Sequence, residues 1–200
     1  MPLVLSGSTG IVEGNIADSA ITTNKIANGA VVAADLAAGA ARANFGAGAV
    51  LQVVSTTTDA QSSTNSQATA LSLSITPSNS TSKILLLVDA QFSMSTDTYG
   101  MTRLFRNSTE IASSSQLSTG GSNTRGWKAI NHRDGDAQWE VEAVSGTYLD
   151  SPSTTSSITY YLKYELNYGT VIYFNRPYDG SNATYHWNSV STMTLMEIAG

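Results

Sequence analysis

The sequence contains no cysteine, which excludes disulfide bonds and thiolate metal sites. Charged residues are also scarce: Asp, Glu, Lys and Arg make up 12% of the chain, about half of the usual share of roughly 25%. The formal net charge is −5, and Lys and Arg form no basic run. Because nucleic acids and anionic membranes are bound through clustered Lys and Arg, neither is expected as a partner.

The sequence also lacks a long hydrophobic run. No apolar stretch approaches the roughly 20 residues that cross a bilayer, so no membrane insertion is expected. Residues 1–10 lack the charged and apolar regions of a signal peptide. We therefore expect a soluble chain without an export signal.

The residues that replace the charges indicate β structure. Ser and Thr make up roughly a quarter of the chain, and a hydrophobic content of 41% is enough for a core. Thr favours strands, whereas Ser and Gly favour turns. The composition therefore predicts an all-β protein whose polar surface consists of hydroxyls rather than charges.

The composition changes sharply near residues 45–50. Before Phe45 there are no aromatic residues, and a repeat of about ten residues places an aliphatic side chain at every fifth position. A spacing of five fits neither an α-helix nor a coiled coil, and in a strand it would alternate between faces. The repeated aliphatics are Ile11, Ile16, Ile21, Ile26, Val31 and Leu36.

A segment with one aliphatic in five residues cannot bury a core by itself. Several chains around a common axis can do so, because the aliphatics point inward and the Ala and Gly neighbours allow close approach. We therefore predict a slender shaft over residues 15–48, preceded by a leader at residues 1–14. The alternative is a flexible Ala/Gly-rich linker, although a linker has no reason to space its aliphatics regularly.

The remainder, residues 49–200, shows strand patterns separated by turn residues. Leu71, Leu73 and Ile75 alternate with polar residues, and the apolar run at residues 83–88 suits a central strand covered on both faces. This pattern predicts an antiparallel β-sandwich, jelly-roll-like, as a C-terminal head. Further strands are predicted at residues 49–54, 101–105, 110–112, 139–143, 158–166, 170–174 and 192–198.

The sequence offers little for catalysis. The two histidines, His132 and His186, fit no metal-ligand spacing, and residues 131–136 are interpreted as a polar turn. Glu140 and Glu142 lie two apart on a predicted strand, and paired carboxylates serve glycoside hydrolysis, but we favour two solvated residues of an outer face. We therefore expect no enzyme, no catalytic residue, no metal and no cofactor.

Aromatic residues supply the one candidate binding surface. Aromatic rings cover the apolar faces of sugars, while neighbouring Asn and Asp bind hydroxyls. The candidate glycan-binding residues are Trp127, Tyr178, Asp179, Asn182, Tyr185 and Trp187. The alternative is that aromatics fill the core or an interface between chains, and we favour it for the residues on predicted strands, which are Tyr160, Tyr161, Tyr164 and Tyr173.

With both parts in view, the chain resembles tail-fibre and related appendage proteins of tailed bacteriophages, especially phages of aquatic bacteria. Residues 3–11 (LVLSGSTGI) are similar to the leader of those proteins, and residues 20–31 (AITTNKIANGAV) are similar to their shaft repeats. Similar motifs in the C-terminal part are LQVV at 51–54, ITP at 75–77, SKIL at 82–85, RNSTEI at 106–111 and LMEI at 195–198.

The resemblance covers essentially the whole chain through the order of its short motifs. It implies a homotrimeric virion protein, made in the host cytoplasm, whose N-terminus binds another virion protein of the tail, baseplate or capsid. The C-terminal head would contact a host surface polysaccharide or receptor. A capsid- or head-attached decoration fibre is the alternative. A polysaccharide-cleaving tailspike ranks third, because the chain is short and lacks a long repetitive β-helix.

Overall fold

A computed structural model describes residues 46–95, 97–112, 126–132, 141–178 and 187–200. In this part of the chain there are strands and no helix. The strands are β1 (Val50–Thr58), β2 (Ser62–Thr64), β3 (Gln67–Ile75), β4 (Lys83–Met94), β5 (Thr98–Arg106), β6 (Thr109–Glu110), β7 (Lys128–His132), β8 (Glu142–Asp150), β9 (Ile158–Tyr168), β10 (Ile172–Phe174) and β11 (Ser191–Ile198).

The strands form two sheets, and every pairing is antiparallel. In the first sheet β8 pairs with one edge of β4, while β11 and β10 pair with successive parts of the other edge. Beyond them, β1 pairs with β11 and β2 with β10. In the second sheet β9 lies between β3 and β5, and β6 and β7 pair with the far edge of β5. The prediction of an all-β, antiparallel sandwich is confirmed for the described residues.

The core lies between the sheets and follows from strict alternation along β4. Its inward residues, from Ile84 to Met94 at every second position, are all buried. From the second sheet Leu104, Leu162 and Tyr164 pack into the same apolar cluster. Burying such a side chain contributes about 1.5–3 kcal/mol each, so this layer supplies most of the stability of the head.

The four tyrosines that the sequence places on strands lie on two different faces of their sheets, inner and outer. Tyr160 and Tyr164 are fully buried, as expected for core residues. Tyr161 and Tyr173 are half-buried and alternate with buried neighbours, so they lie on the outer faces of their sheets. The strand period therefore decides which aromatic rings can meet a partner outside the chain.

The prediction for β4 is confirmed in part: the strand is central, between β8 and β11, but within one chain it is covered on one face. The apolar run at residues 83–88 suggested a strand covered on both faces, but Leu85 and Leu87 are only half-buried. The reason is that a sandwich covers the inner face of each sheet alone. In the described part of the chain no second layer lies over the outer face of β4.

The strand predicted at residues 139–143 is misplaced. The observed strand β8 begins at Glu142 and continues through Gly146 to Asp150. Its hydrogen bonds to β4 extend from Phe92 back to Ile84, and this pairing overrides the weak β propensity of Ser and Gly. The short strands β2 and β7 were not predicted, and β7 includes the backbone of Asn131 and His132, so the polar turn predicted at 131–136 is wrong for these two residues.

The first described residues, around Gly48, lie beside the residues around Ala199. The backbone N–H of Gly48 donates to the carbonyl of Ala199 over 2.8 Å, and Ala199 donates in turn to Ala49. Nearby, the fully buried carboxylate of Glu197 accepts hydrogen bonds from Gln52 Nε2 at 2.6 Å and from Ser78 N at 2.7 Å. Burial by itself would raise the pKa of Glu197, but these hydrogen bonds outweigh burial and hold the pKa below its ordinary value of 4.5.

The predicted leader and the repeat lie outside the described residues. This applies to all six repeat aliphatics, which are Ile11, Ile16, Ile21, Ile26, Val31 and Leu36.

Candidate functional site

An aromatic corner, formed by Tyr173, Arg176 and Tyr178, follows directly from the end of β10. Tyr173 lies on the outer face of β10, between the buried residues Ile172 and Phe174. The ring of Tyr178 meets the ring of Tyr173 edge-on, with centroids 5.6 Å apart. The guanidinium carbon of Arg176 lies 4.8 Å from the centroid of Tyr173. A cation and two phenol rings are therefore brought together on one surface.

Asn175 makes this arrangement possible. Its φ of 60° lies in the left-handed region, which Asn tolerates better than most residues, and the backbone turns so that Arg176 folds back onto Tyr173. The side chain is fully buried, and its Nδ2 donates to the carbonyls of Thr58 at 2.9 Å and Ala60 at 3.2 Å. Its Oδ1 accepts a hydrogen bond from Ser191 Oγ at 2.5 Å.

The backbone of Asn175 completes the same junction. Its N–H donates to the carbonyl of Gln91 at 3.0 Å, and its carbonyl accepts from Ser189 N at 3.1 Å. Asn175 thus ties the ends of β1, β4, β10 and β11 to one point. Because its polar groups are all paired, the aromatic corner stands on a rigid base.

Trp187 is connected along the chain to the base of this corner. It lies two residues before Ser189, whose N–H donates to the carbonyl of Asn175, and 74% of it is exposed. The candidates Asp179, Asn182 and Tyr185 lie outside the described residues, so they stay predictions.

Trp127 is placed elsewhere. It is half-buried, its backbone N–H donates to the carbonyl of Thr102, and a Cβ at Gly146 of β8 would approach its ring to 2.8 Å. Strand β8 flanks one edge of β4, whereas β10 with Tyr173 flanks the other. The structure therefore places Tyr178 against Tyr173 and packs Trp127 against the edge strand β8.

The aromatic corner and the start of the described chain lie at opposite ends of the first sheet. Lys83, the first residue of β4, pairs with Ile198, which pairs with Val50 at the start of β1. Ser93, ten residues further along β4, pairs with Tyr173. At about 3.3 Å per residue, the two ends are about 33 Å apart.

The chemistry of the corner is that of binding. A guanidinium held against a ring face attracts anionic groups, and the faces of phenol and indole rings suit the apolar faces of sugars. Among the described residues no cluster of three or more His, Cys, Asp and Glu side chains is arranged to hold a metal ion. Glu142 is exposed at the start of β8, and its predicted companion Glu140 lies outside the described residues.

Two residues of this corner carry no sequence signal for their roles. Asn175 resembles any turn residue, and only the structure shows that it is buried and bonded to four other strands or loops. The position of Arg176 over Tyr173 depends on the left-handed turn at Asn175, which no local sequence pattern shows.

Comparisons with known proteins assign no family. No protein-family model and no curated protein matches the chain. Among the described residues, no helix has the length and apolar character needed to cross a bilayer. The function is therefore inferred from the residues of the chain itself.

Proposed function

We propose that this chain is a structural, non-enzymatic virion protein of a tailed bacteriophage: a homotrimeric tail fibre with a jelly-roll-like head. Its N-terminus, including residues 1–14, anchors to another virion protein. The repeat at residues 15–48 forms the trimeric shaft, and the head contacts a polysaccharide or receptor on the host surface. The order of the fibre-like motifs along the sequence is the basis for the phage assignment.

The observation that carries the proposal is that two features of the head lie at opposite ends of its first sheet. The described chain begins beside Ala199 at one end of the first sheet, and the aromatic corner lies at the other end. In a fibre the shaft enters the head on the side of the particle, and the opposite end faces the host. A half-buried cation and aromatic cluster at that far end lies where a host-binding surface is needed.

The weakness of a shallow site is compatible with this role. The aromatic corner is an open surface rather than a deep pocket, so each head binds its ligand modestly. Several heads on one particle multiply modest affinities, by 10²–10⁴ in typical multivalent systems, on the order of what firm attachment requires.

The test combines mass and binding measurements on the full chain. Light scattering of a trimer gives three times the 21.0 kDa of one chain. Binding is measured with labelled protein on immobilised lipopolysaccharides and capsular polysaccharides from a panel of bacteria. An aromatic or cation contact is worth about 0.5–1.5 kcal/mol, so Tyr178→Ala and Arg176→Ala should each weaken binding by roughly two- to tenfold per head.

The matched control is Tyr168→Ala. Tyr168 is likewise a tyrosine whose ring meets that of another tyrosine, with its centroid 5.9 Å from that of Tyr99, but it is exposed and belongs to the second sheet. Wild-type binding by this variant, beside weakened binding by Tyr178→Ala, supports the corner as the site. A monomeric full chain, or equal binding by all variants, contradicts the proposal.

A further inference from the structure

The outer face of the first sheet carries a row of apolar side chains across four of its six strands. Val53, Met196, Leu85 and Leu149 are successive cross-strand partners, and we call them the apolar row. Val53 is 52% exposed and Leu149 is 50% exposed. Because these two side chains at the ends of the row are half exposed, the row forms an apolar band that is open to solvent.

The band continues into an open hollow next to it. The hollow has a volume of about 290 Å³, and its lining includes Leu87, Asp89, Ser145, Thr147, Thr192 and Thr194. These hydroxyl residues belong to the neighbouring cross-strand rows of the same face. The face therefore offers both apolar contact and space for side chains of an opposing surface.

The outer face of the second sheet differs in its charges. There Arg103 forms ion pairs with Glu110 at 3.0 Å and Glu165 at 2.6 Å, and Lys163 lies over the ring of Phe105. These charges are paired among themselves and solvated. A face of this kind can stay in contact with solvent and does not need a second protein surface against it.

Over β1, β11, β4 and β8, the face with the apolar row is poor in charge and neutral in sum. On β4 its outward positions include one cation, Lys83, and one anion, Asp89. The whole chain has a formal charge of −5, so two copies repel each other except where the contact faces are neutral. Depletion of charge around an apolar centre is also the composition of subunit interfaces.

The size of the face argues for a second copy rather than a free partner. Four strands at about 4.8 Å spacing, and the nine residues from Lys83 to Gln91 at about 3.3 Å each, span roughly 19 by 30 Å, or about 570 Å². A free partner needs about 800 Å² on each side for a stable contact. Copies tethered by a common shaft need less, because the tether raises their effective concentration to the millimolar range in order of magnitude.

The apolar row also lies near the place where tethered copies would meet. Val53 is three residues from Val50, and Val50 pairs with Ile198 at the end of the sheet where the described chain begins. We propose that the outer face of the first sheet, centred on the apolar row, is the contact surface between copies of the head. This inference rests on the trimer of the proposed function and specifies the face that it uses.

The test uses single cysteines in the full chain, which contains none of its own. Ser55→Cys places a thiol on edge strand β1, on the face in question, next to Val53. Ser72→Cys is the matched control, because Ser72 is an equally exposed serine on edge strand β3 of the second sheet. With a short bismaleimide cross-linker, Ser55→Cys should give covalent dimers on a denaturing gel, since each chain has one thiol, and Ser72→Cys should remain a single chain.

A second variant removes the apolar contact without touching the core. In Val53→Glu with Leu149→Glu, two half-exposed side chains become carboxylates that a contact would bury without partners. Dissociation of the full-chain oligomer on dilution should then begin at a concentration at least about tenfold higher than in the wild type.

The outcomes separate the two proposals. If the full chain is a trimer but Ser55→Cys and Ser72→Cys react alike and the double variant dissociates like the wild type, the face is not the contact, and the fibre proposal stands. Cross-linking of Ser72→Cys alone assigns the contact to the second sheet and overturns the inference. A full chain that is monomeric at every concentration overturns both.

Discussion

Arg106 of β5 and Asp150 of β8 form an ion pair that joins the two sheets: Nη1 lies 3.0 Å from Oδ1 and 2.8 Å from Oδ2. Tyr160 donates its hydroxyl to the same Oδ2 over 2.7 Å. Burial first, and then the hydrogen bond to Asp150, raise the pKa of the Tyr160 phenol far above its ordinary value, so it stays a donor. The buried Asp150 carboxylate depends on one cation and one hydroxyl, so loss of the cation leaves its charge uncompensated.

Arg106→Ala should therefore destabilise the protein strongly. Breaking a buried pair costs 3–5 kcal/mol, but the Arg106 side chain is 26% exposed, so we expect about 2–3 kcal/mol. Urea unfolding of the full chain, followed by tryptophan fluorescence, measures the loss. Asp59→Ala, at an exposed carboxylate, serves as control and should change the free energy of unfolding by less than about 0.5 kcal/mol. Equal stability of the two variants would show that the ion pair is dispensable.

Asn175→Ala should be among the most damaging substitutions of a polar residue. It leaves the carbonyls of Thr58 and Ala60 unpaired and places Ala at a φ of 60°, for an expected loss of about 2–4 kcal/mol. Asn107→Ala is the matched control, because Asn107 has a φ of 51° and is exposed. The control shares the backbone strain and lacks the burial. A loss no greater than that of Asn107→Ala would disprove the role of the buried amide.

Gly100→Ala tests how closely β5 approaches its neighbours, β9 of the same sheet and β10 of the first sheet. A Cβ at Gly100 would lie 2.7 Å from the carbonyl oxygen of Glu165, and the side chain of Ile172 lies closer still. The carbonyl oxygen of Glu165 belongs to the backbone and cannot move aside as easily as the end of a side chain. The free energy of unfolding should therefore fall by about 1–3 kcal/mol. Gly46→Ala has no atom within 4 Å of the new Cβ and should leave thermal unfolding unchanged. A stable Gly100→Ala protein would mean that the strand shifts without cost.

Acid should weaken the head through Glu197. Its folded pKa lies below the 4.5 of an ordinary carboxyl, so the stabilisation is complete above about pH 4.5 and is lost as the pH falls through the lowered pKa. Glu197→Gln should lower stability at neutral pH and flatten the decline below pH 4.5, as measured by urea unfolding across pH. Glu142→Gln, at an exposed residue, should keep the wild-type profile. A wild-type decline in Glu197→Gln would assign the acid sensitivity to other groups.

The sandwich was predictable because its strands carry local signals. Leu71, Leu73 and Ile75 alternate in the sequence, and the alternation survives as burial in β3. The prediction failed for β8, where pairing with β4 decides the strand and the sequence around Gly146 carries turn signals. For the candidate site, the sequence indicated Tyr178, whose ring meets that of Tyr173, and Trp187, which is exposed, and their role in binding stays a prediction. Trp127 was grouped with them by residue type, and the structure places it against β8.

The sequence by itself determined the class of the fold and the inward residues of its long strands, because period-two alternation and turn residues are local properties. Only the tertiary structure decided which outer surfaces matter. Tyr173 and Arg176 meet because Asn175 turns the chain, and the apolar row exists because β1, β11, β4 and β8 align one residue each from four distant segments. Register between distant strands is set by the whole sheet, so no local pattern could show that these four side chains are neighbours.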